Sequence, residues 1–128
     1  MEEPDPTGVI MGTVTYTGEW PPVDSLKDLR FVALESAPQS VADIVSVFPN
    51  LPFSETLDFN VERDTFLVDS VQNGTFVYNS IAQQFGTITD WRPVGLYKEN
   101  DGIIFINDDT ISIEIEVDFE NLPPFPPE

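Results

Sequence analysis

The sequence predicts an all-β fold, a seven- to eight-stranded Greek-key β-sandwich with one short helix near residues 39–48. Three observations point there. Short runs of β-branched and aromatic residues recur between Gly, Pro and Asn punctuation, the stretch Thr110 to Phe119 alternates apolar with polar side chains throughout, and only one segment carries helical spacing. No repeat of fixed period and no internal linker divides the 128 residues. The chain therefore reads as one domain over 1–128, with 1–6 a disordered segment or tether remnant and 122–128 a proline-rich tail.

The first strand is read over Thr7 to Thr17, where Val9, Met11, Val14 and Tyr16 stand among threonines and Gly12 suggests a bend or bulge. Trp20-Pro21-Pro22 stops it. Leu29 to Leu34 is apolar except for Arg30, the pattern of a central strand buried on both faces. Pro38 followed by Val41, Ile44, Val45 and Phe48 has the recurrence of an amphipathic helix, which Pro49 ends. Phe53 to Phe59 and Thr65 to Val71 both alternate, and they read as paired strands on either side of a polar connection. Asn73-Gly74 then predicts a hairpin, because both residues tolerate the positive φ of a type I′ turn. Gly74 to Gln84 reads as one strand, with Phe76, Tyr78 and Ser80 on one face and Val77, Asn79 and Ile81 on the other. Short strands at Val94 to Tyr97 and Ile103 to Ile106 flank the turn Asn100-Asp101-Gly102. In Thr110 to Phe119, Ile111, Ile113, Ile115, Val117 and Phe119 line a dry face, and Ser112, Glu114, Glu116 and Asp118 a wet one. Pro123-Pro124-Phe125-Pro126-Pro127 cannot continue a ladder.

Composition excludes more than it assigns. Twenty-three acidic residues face five basic ones, a formal net charge of -18, and the chain has no histidine and no cysteine. A Ser-His-Asp relay, a Cys-His pair and zinc sites built on imidazole or thiolate are excluded with them. Nucleic acid is not a predicted partner, because phosphate neutralisation needs Lys and Arg clusters. No apolar run is long enough to span a bilayer. Acid spread along the whole chain with lysine only at Lys27 and Lys98 fits life in molar salt, where charges are screened within about 3 Å and hydrated carboxylates keep a protein in solution.

Three groups of residues are candidate sites, each with an ordinary alternative. Trp91 and Tyr97, with Trp20, are either an aromatic platform for sugar rings or large rings plugging the ends of a sandwich. Calcium is the cation this chemistry suits, since oxygen ligands are what the chain offers in number. Its candidate ligands are Glu99, Asp101, Asp108 and Asp109; aligning Gly102 with the invariant glycine of the calcium-loop pattern puts Tyr97 at the first ligand position, so that pattern fails and the alternative is solvated turns. Arg30 and Arg92 are expected to pair with nearby carboxylates. The acidic ladder Glu114, Glu116, Asp118 and Glu120 is read as a hydrated strand face. No catalytic residue and no other cofactor is predicted, because nothing in the sequence places the carboxylate pair that glycoside hydrolysis requires.

The succession Gly12-Thr13-Val14-Thr15-Tyr16, Gly18-Glu19-Trp20-Pro21, Asp28-Leu29-Arg30-Phe31-Val32-Ala33-Leu34 and Asn73-Gly74-Thr75-Phe76-Val77-Tyr78 resembles the prealbumin-like (transthyretin-like, carboxypeptidase regulatory-like) sandwich. Asp90-Trp91-Arg92-Pro93-Val94-Gly95-Leu96-Tyr97 and Val117-Asp118-Phe119-Glu120-Asn121-Leu122-Pro123-Pro124 are similar to segments of uncharacterised domains of exported bacterial proteins. The resemblance implies export to the periplasm or cell surface, with a lipid anchor upstream and Met1 standing where a signal was removed. The cytoplasm of a salt-accumulating cell is the alternative. The hydrolase branch of transthyretin-like proteins depends on histidines, so that activity does not carry over. The expectation is a non-catalytic module with a structural or interaction role toward a protein or glycan partner; the alternative is a carbohydrate- or calcium-binding module.

Overall fold

Backbone hydrogen bonding gathers the described residues into three sheets. The computed structural model describes residues 7–40, 42–43, 52–87 and 90–123. Among these residues lie eight strands: β1 (Gly8–Thr17), β2 (Asp28–Leu34), β3 (Arg63–Val71), β4 (Gly74–Phe76), β5 (Tyr78–Gln84), β6 (Trp91–Leu96), β7 (Ile104–Ile106) and β8 (Thr110–Asp118). One-turn 3₁₀ segments occupy Val23–Ser25 and Glu99–Gly102. The helix expected near 39–48 falls largely outside the described residues; within them Ala42 and Asp43 are helical, and the Gln39 N–H donates to the Asp43 carboxylate at 2.8 Å.

The first sheet has the order β3-β1-β8, with β1 antiparallel to β3 and parallel to β8. The second is β2-β5-β6, antiparallel throughout, and β4 pairs with β7 in a small third sheet. Side chains alternate across each strand, so each larger sheet has one face turned to a shared core. Ile10, Val14, Phe66, Ile113, Ile115 and Val117 from the first sheet meet Leu29, Phe31, Ile81 and Val94 from the second. Phe31 and Phe66 stack across the gap with ring centroids 4.5 Å apart. Strand β8 shows the predicted alternation, with Ile113, Ile115 and Val117 buried and Ser112, Glu114 and Glu116 exposed.

Strand β2 is buried on both faces, as its apolar run requires. Leu29, Phe31 and Ala33 enter the main core, while Val32 and Leu34 join Tyr78 and Ala82 in a second cluster on the other side of the sheet. Its outer edge is covered by the extended segment 52–57. Ala33 N–H donates to Pro52 O (3.0 Å), Ser54 N–H to Phe31 O (2.9 Å) and Leu57 N–H to Leu29 O (2.7 Å). Ser54 Oγ, buried, also accepts from Phe31 N–H at 2.9 Å.

Four local expectations are corrected. Segment 53–59 forms no regular strand, only an isolated bridge from Phe53 to Val32, and does not pair with 65–71: its backbone–backbone hydrogen bonds go to β2, whereas β3 pairs with β1. The irregularity in the β1–β3 pairing lies opposite Gly8 to Ile10, where β3 carries the extra residue, instead of at Gly12, which stays in regular register with Phe66 and Ile113. Asn73-Gly74 forms no type I′ turn: neither residue has positive φ, and β4 leaves β3 to pair with β7. The strand expected over 74–84 breaks at Val77, whose N–H donates to Leu34 O at 2.9 Å. That break sends Phe76 into the main core and Tyr78 into the second cluster. Pro93 sits inside β6 where the register with β5 shifts between Ile81 and Ala82, a position at which a missing N–H costs no ladder bond.

Candidate functional site

The structure does not bring the predicted site residues together. Trp91 packs, partly buried, on the second cluster, and Tyr97 packs on the main core. The two side chains thus serve different faces of the second sheet, six residues apart along an extended chain, roughly 20 Å. Trp20 packs against Tyr16 and Phe119, with centroids at 4.6 and 4.7 Å, in the manner of a ring closing the end of the core. Burial, and after it the Glu99 carboxylate, push the Tyr97 phenol above its ordinary pKa.

The calcium candidates serve turn geometry. Asn100 and Asp101 hold left-handed φ of 52° and 57°, and the turn is anchored by the buried Asn79, whose Nδ2 donates to Gly102 O at 2.8 Å and Phe76 O at 2.9 Å. Glu99 borders a depression with Met11, Leu67 and Glu114. Asp108 Oδ1 accepts from the Thr7 hydroxyl (3.1 Å), and Asp109 Oδ1 from Asn107 N–H (3.0 Å). Asn73 supports this second turn by accepting from Asp108 N–H at 2.7 Å. Among the described residues no three acidic side chains converge as a metal ion would require.

Arg30 pairs with Asp28 at 2.8 Å as expected, and its Nη1 also donates to Ser54 O. Among the described residues Arg92 pairs with no carboxylate. It donates from Nε to Gln83 Oε1 at 3.0 Å and lies over the Phe85 ring. Gln83 explains the difference: it is fully buried, its Nε2 donates to Ser25 O, and its carbonyl oxygen needs a donor of its own.

A cleft that the sequence reading missed runs between β3 and segment 52–58. One stretch of it, about 490 Å³, is lined by Phe53–Asp58 and Asp64–Asp69; a second, about 460 Å³, by Glu35, Pro52, Phe53 and Val68–Gln72 with Phe76. They share Phe53, Val68 and Asp69 and so follow one strand edge. Five carboxylates (Glu35, Glu55, Asp58, Asp64 and Asp69) rim the cleft; among the described residues no basic side chain lines it, although the Arg30 guanidinium, paired with Asp28, lies 5.4 Å from the centre of the Phe53 ring. Tyr16 N–H donates to Glu62 O at 2.9 Å, and the β1–β3 register is unbroken from Thr15↔Arg63 to Ile10↔Val68. In an antiparallel ladder bonded residues alternate. Asp64, Phe66 and Val68 therefore bond to β1, and the backbone groups of Thr65, Leu67 and Asp69 point outward into the cleft. The Thr65 N–H is held by the Asp64 side chain at 2.8 Å, which also accepts from Asp58 N–H across the cleft end at 2.9 Å. Nearby, Tyr16 has a buried hydroxyl without a hydrogen-bond partner among the described residues; burial, with the Asp64 and Asp58 carboxylates, raises its pKa. One signal of the cleft was present in the sequence: Glu55 and Asp58 on one stretch and Asp64 and Asp69 on the other are like charges that disfavour direct pairing.

Comparison with protein-family models, curated proteins and solved structures gives no match.

Proposed function

We infer that the chain is a non-catalytic interaction module, a Greek-key sandwich of prealbumin-like kind from an exported or surface-attached protein, with an acidic surface suited to high salt. The observation that carries the interaction role is the outward edge of β3. It presents backbone donors and acceptors to an open cleft, whereas the buried polar side chains Asn79, Gln83 and Ser54 hold turns and neighbouring strands. The sandwich reading is supported by a chain that alternates between sheets, from β1 to β2, back to β3, on to β5 and β6, and back to β8 beside β1. Support for salt adaptation comes from the charge of -18.

Thermal unfolding in low salt, in molar NaCl, and in low salt with Ca²⁺, Mg²⁺ or soluble polysaccharide tests this. The expected outcome is a midpoint that rises with bulk salt of any kind and ignores the identity of the cation or sugar. A rise specific to Ca²⁺ or to one polysaccharide, dependent on its concentration, overturns the reading in favour of a cation- or carbohydrate-binding module.

A further inference from the structure

The geometry points to a strand-addition site: the cleft between β3 and residues 52–58 takes an extended cationic peptide from another protein, whose backbone pairs with the outward edge of β3. This rests on the interaction-module reading and names the class of partner. Strand addition uses main-chain hydrogen bonds for affinity and alternate side chains for specificity. The edge supplies the first, because the N–H and C=O groups of Leu67 and Asp69 face the cleft. The bulge that follows at Ser70, with φ of 56°, ends the available ladder. The cleft supplies the second. Its apolar lining, the half-buried Phe53 with the small exposed margins of the core residues Val68 and Phe76, suits apolar residues at every other position of the guest. Its carboxylates suit Lys or Arg at the positions between.

Charge also decides against a second copy of this chain. A neighbour with five basic residues among 128 and a net charge of -18 would bring carboxylates to a rim that is already acidic. Its pair of closest basic residues, Lys27 and Arg30, belongs to β2 or the turn before it, and β2 is covered on both edges. A peptide from a different protein, with the opposite charge, meets neither obstacle.

The test is fluorescence anisotropy of a labelled, end-blocked heptapeptide alternating valine with lysine, titrated with the whole chain at about 0.15 M and about 1 M NaCl. The expected result is binding that weakens with salt, no binding of the same peptide carrying glutamate for lysine, and a loss of roughly tenfold on Glu55→Lys with Asp69→Lys. Both side chains are exposed and make no hydrogen bond among the described residues, so circular dichroism is expected to show an unchanged fold. N-methylating alternate residues of the lysine probe separates pairing from plain charge attraction. Methyl groups on one edge should abolish binding and on the other leave it. Equal binding by both N-methylated probes, or by the glutamate probe, overturns strand addition. A dimer of the chain that the lysine probe disrupts overturns the choice of partner. Failure of the lysine probe, with a melting midpoint that still follows bulk salt alone, removes the cationic peptide and leaves the interaction module standing; a Ca²⁺-specific midpoint removes the module reading itself.

Discussion

Replacing Gly12 by alanine and, separately, Gly74 by alanine should give opposite results, and the contrast discriminates between two strand pairings. At Gly12 an added Cβ would stand 2.6 Å from Ile113 O, 2.6 Å from Phe66 Cζ and 3.0 Å from Ile113 Cγ1, where ordinary contact begins near 3.4 Å. The Phe66 ring can tilt. The Ile113 carbonyl cannot, because it belongs to β8, which runs in register with β1 over nine residue pairs. Strand β1 must therefore move against both its neighbours, and overpacking of this kind costs about 1–3 kcal/mol; the backbone clash argues for the upper end. For a domain of this size that lowers the melting midpoint by about 10 °C. At Gly74 nothing lies within 4 Å of the added Cβ, and φ is outside the left-handed region. Alanine there should be neutral or stabilise by up to about 1 kcal/mol, by reducing the freedom of the unfolded chain. The assay is urea unfolding followed by tryptophan fluorescence at one fixed salt concentration, since Trp20 packs against the core. A Gly74→Ala loss as large as that of Gly12→Ala would refute the reasoning, because it would mean that Asn73-Gly74 is a tight turn with positive φ and that β4 pairs with β3. Adding Phe66→Leu to Gly12→Ala should recover only part of the loss, since the carbonyl clash stays.

Tyr78 should make the protein sensitive to alkali. Its hydroxyl is buried without a partner among the described residues, and burial pushes its pKa from the ordinary 10.0 up to about 12. The unfolded chain releases that proton first, so stability is fully present below about pH 10 and falls as pH rises from there through 12. Tyr78→Phe should flatten the decline in a series of urea midpoints against pH, and a slope that does not change would refute the assignment. Arg92→Ala should cost about 1–3 kcal/mol in the same unfolding assay, because it leaves the buried Gln83 carbonyl without its donor. Arg92→Lys, which can still donate to the Gln83 carbonyl, should lose less than Arg92→Ala, and an equal loss would show that packing on Phe85 is the larger contribution.

Local periodicity was enough to locate β8 and the double burial of β2. In each case the pattern reports which side chains avoid water, and that preference is a property of the residues themselves. The missing histidine and cysteine likewise left these residues no imidazole or thiolate to work with, which needs no structure to see. Partner choice was another matter. Segment 53–59 and residues 65–71 both looked like strands, yet nothing within either stretch says that the first lies along β2 and the second along β1. That choice is made by Phe31 and Phe66 stacking between sheets and by Ser54 reaching the Phe31 N–H, contacts between residues more than twenty positions apart. Asn73 shows the same competition on a smaller scale, since its side chain holds the Asp108 turn in place of a tight turn with Gly74. Arg92 serves a buried amide, Gln83, whose unsatisfied carbonyl would cost more than an exposed ion pair returns. The sequence by itself determined that the chain is mostly strand, which faces of β2 and β8 are dry and what the net charge is. Only the tertiary structure decided which strands meet and which edge is left open, because pairing energy depends on neighbours brought together from distant parts of the chain.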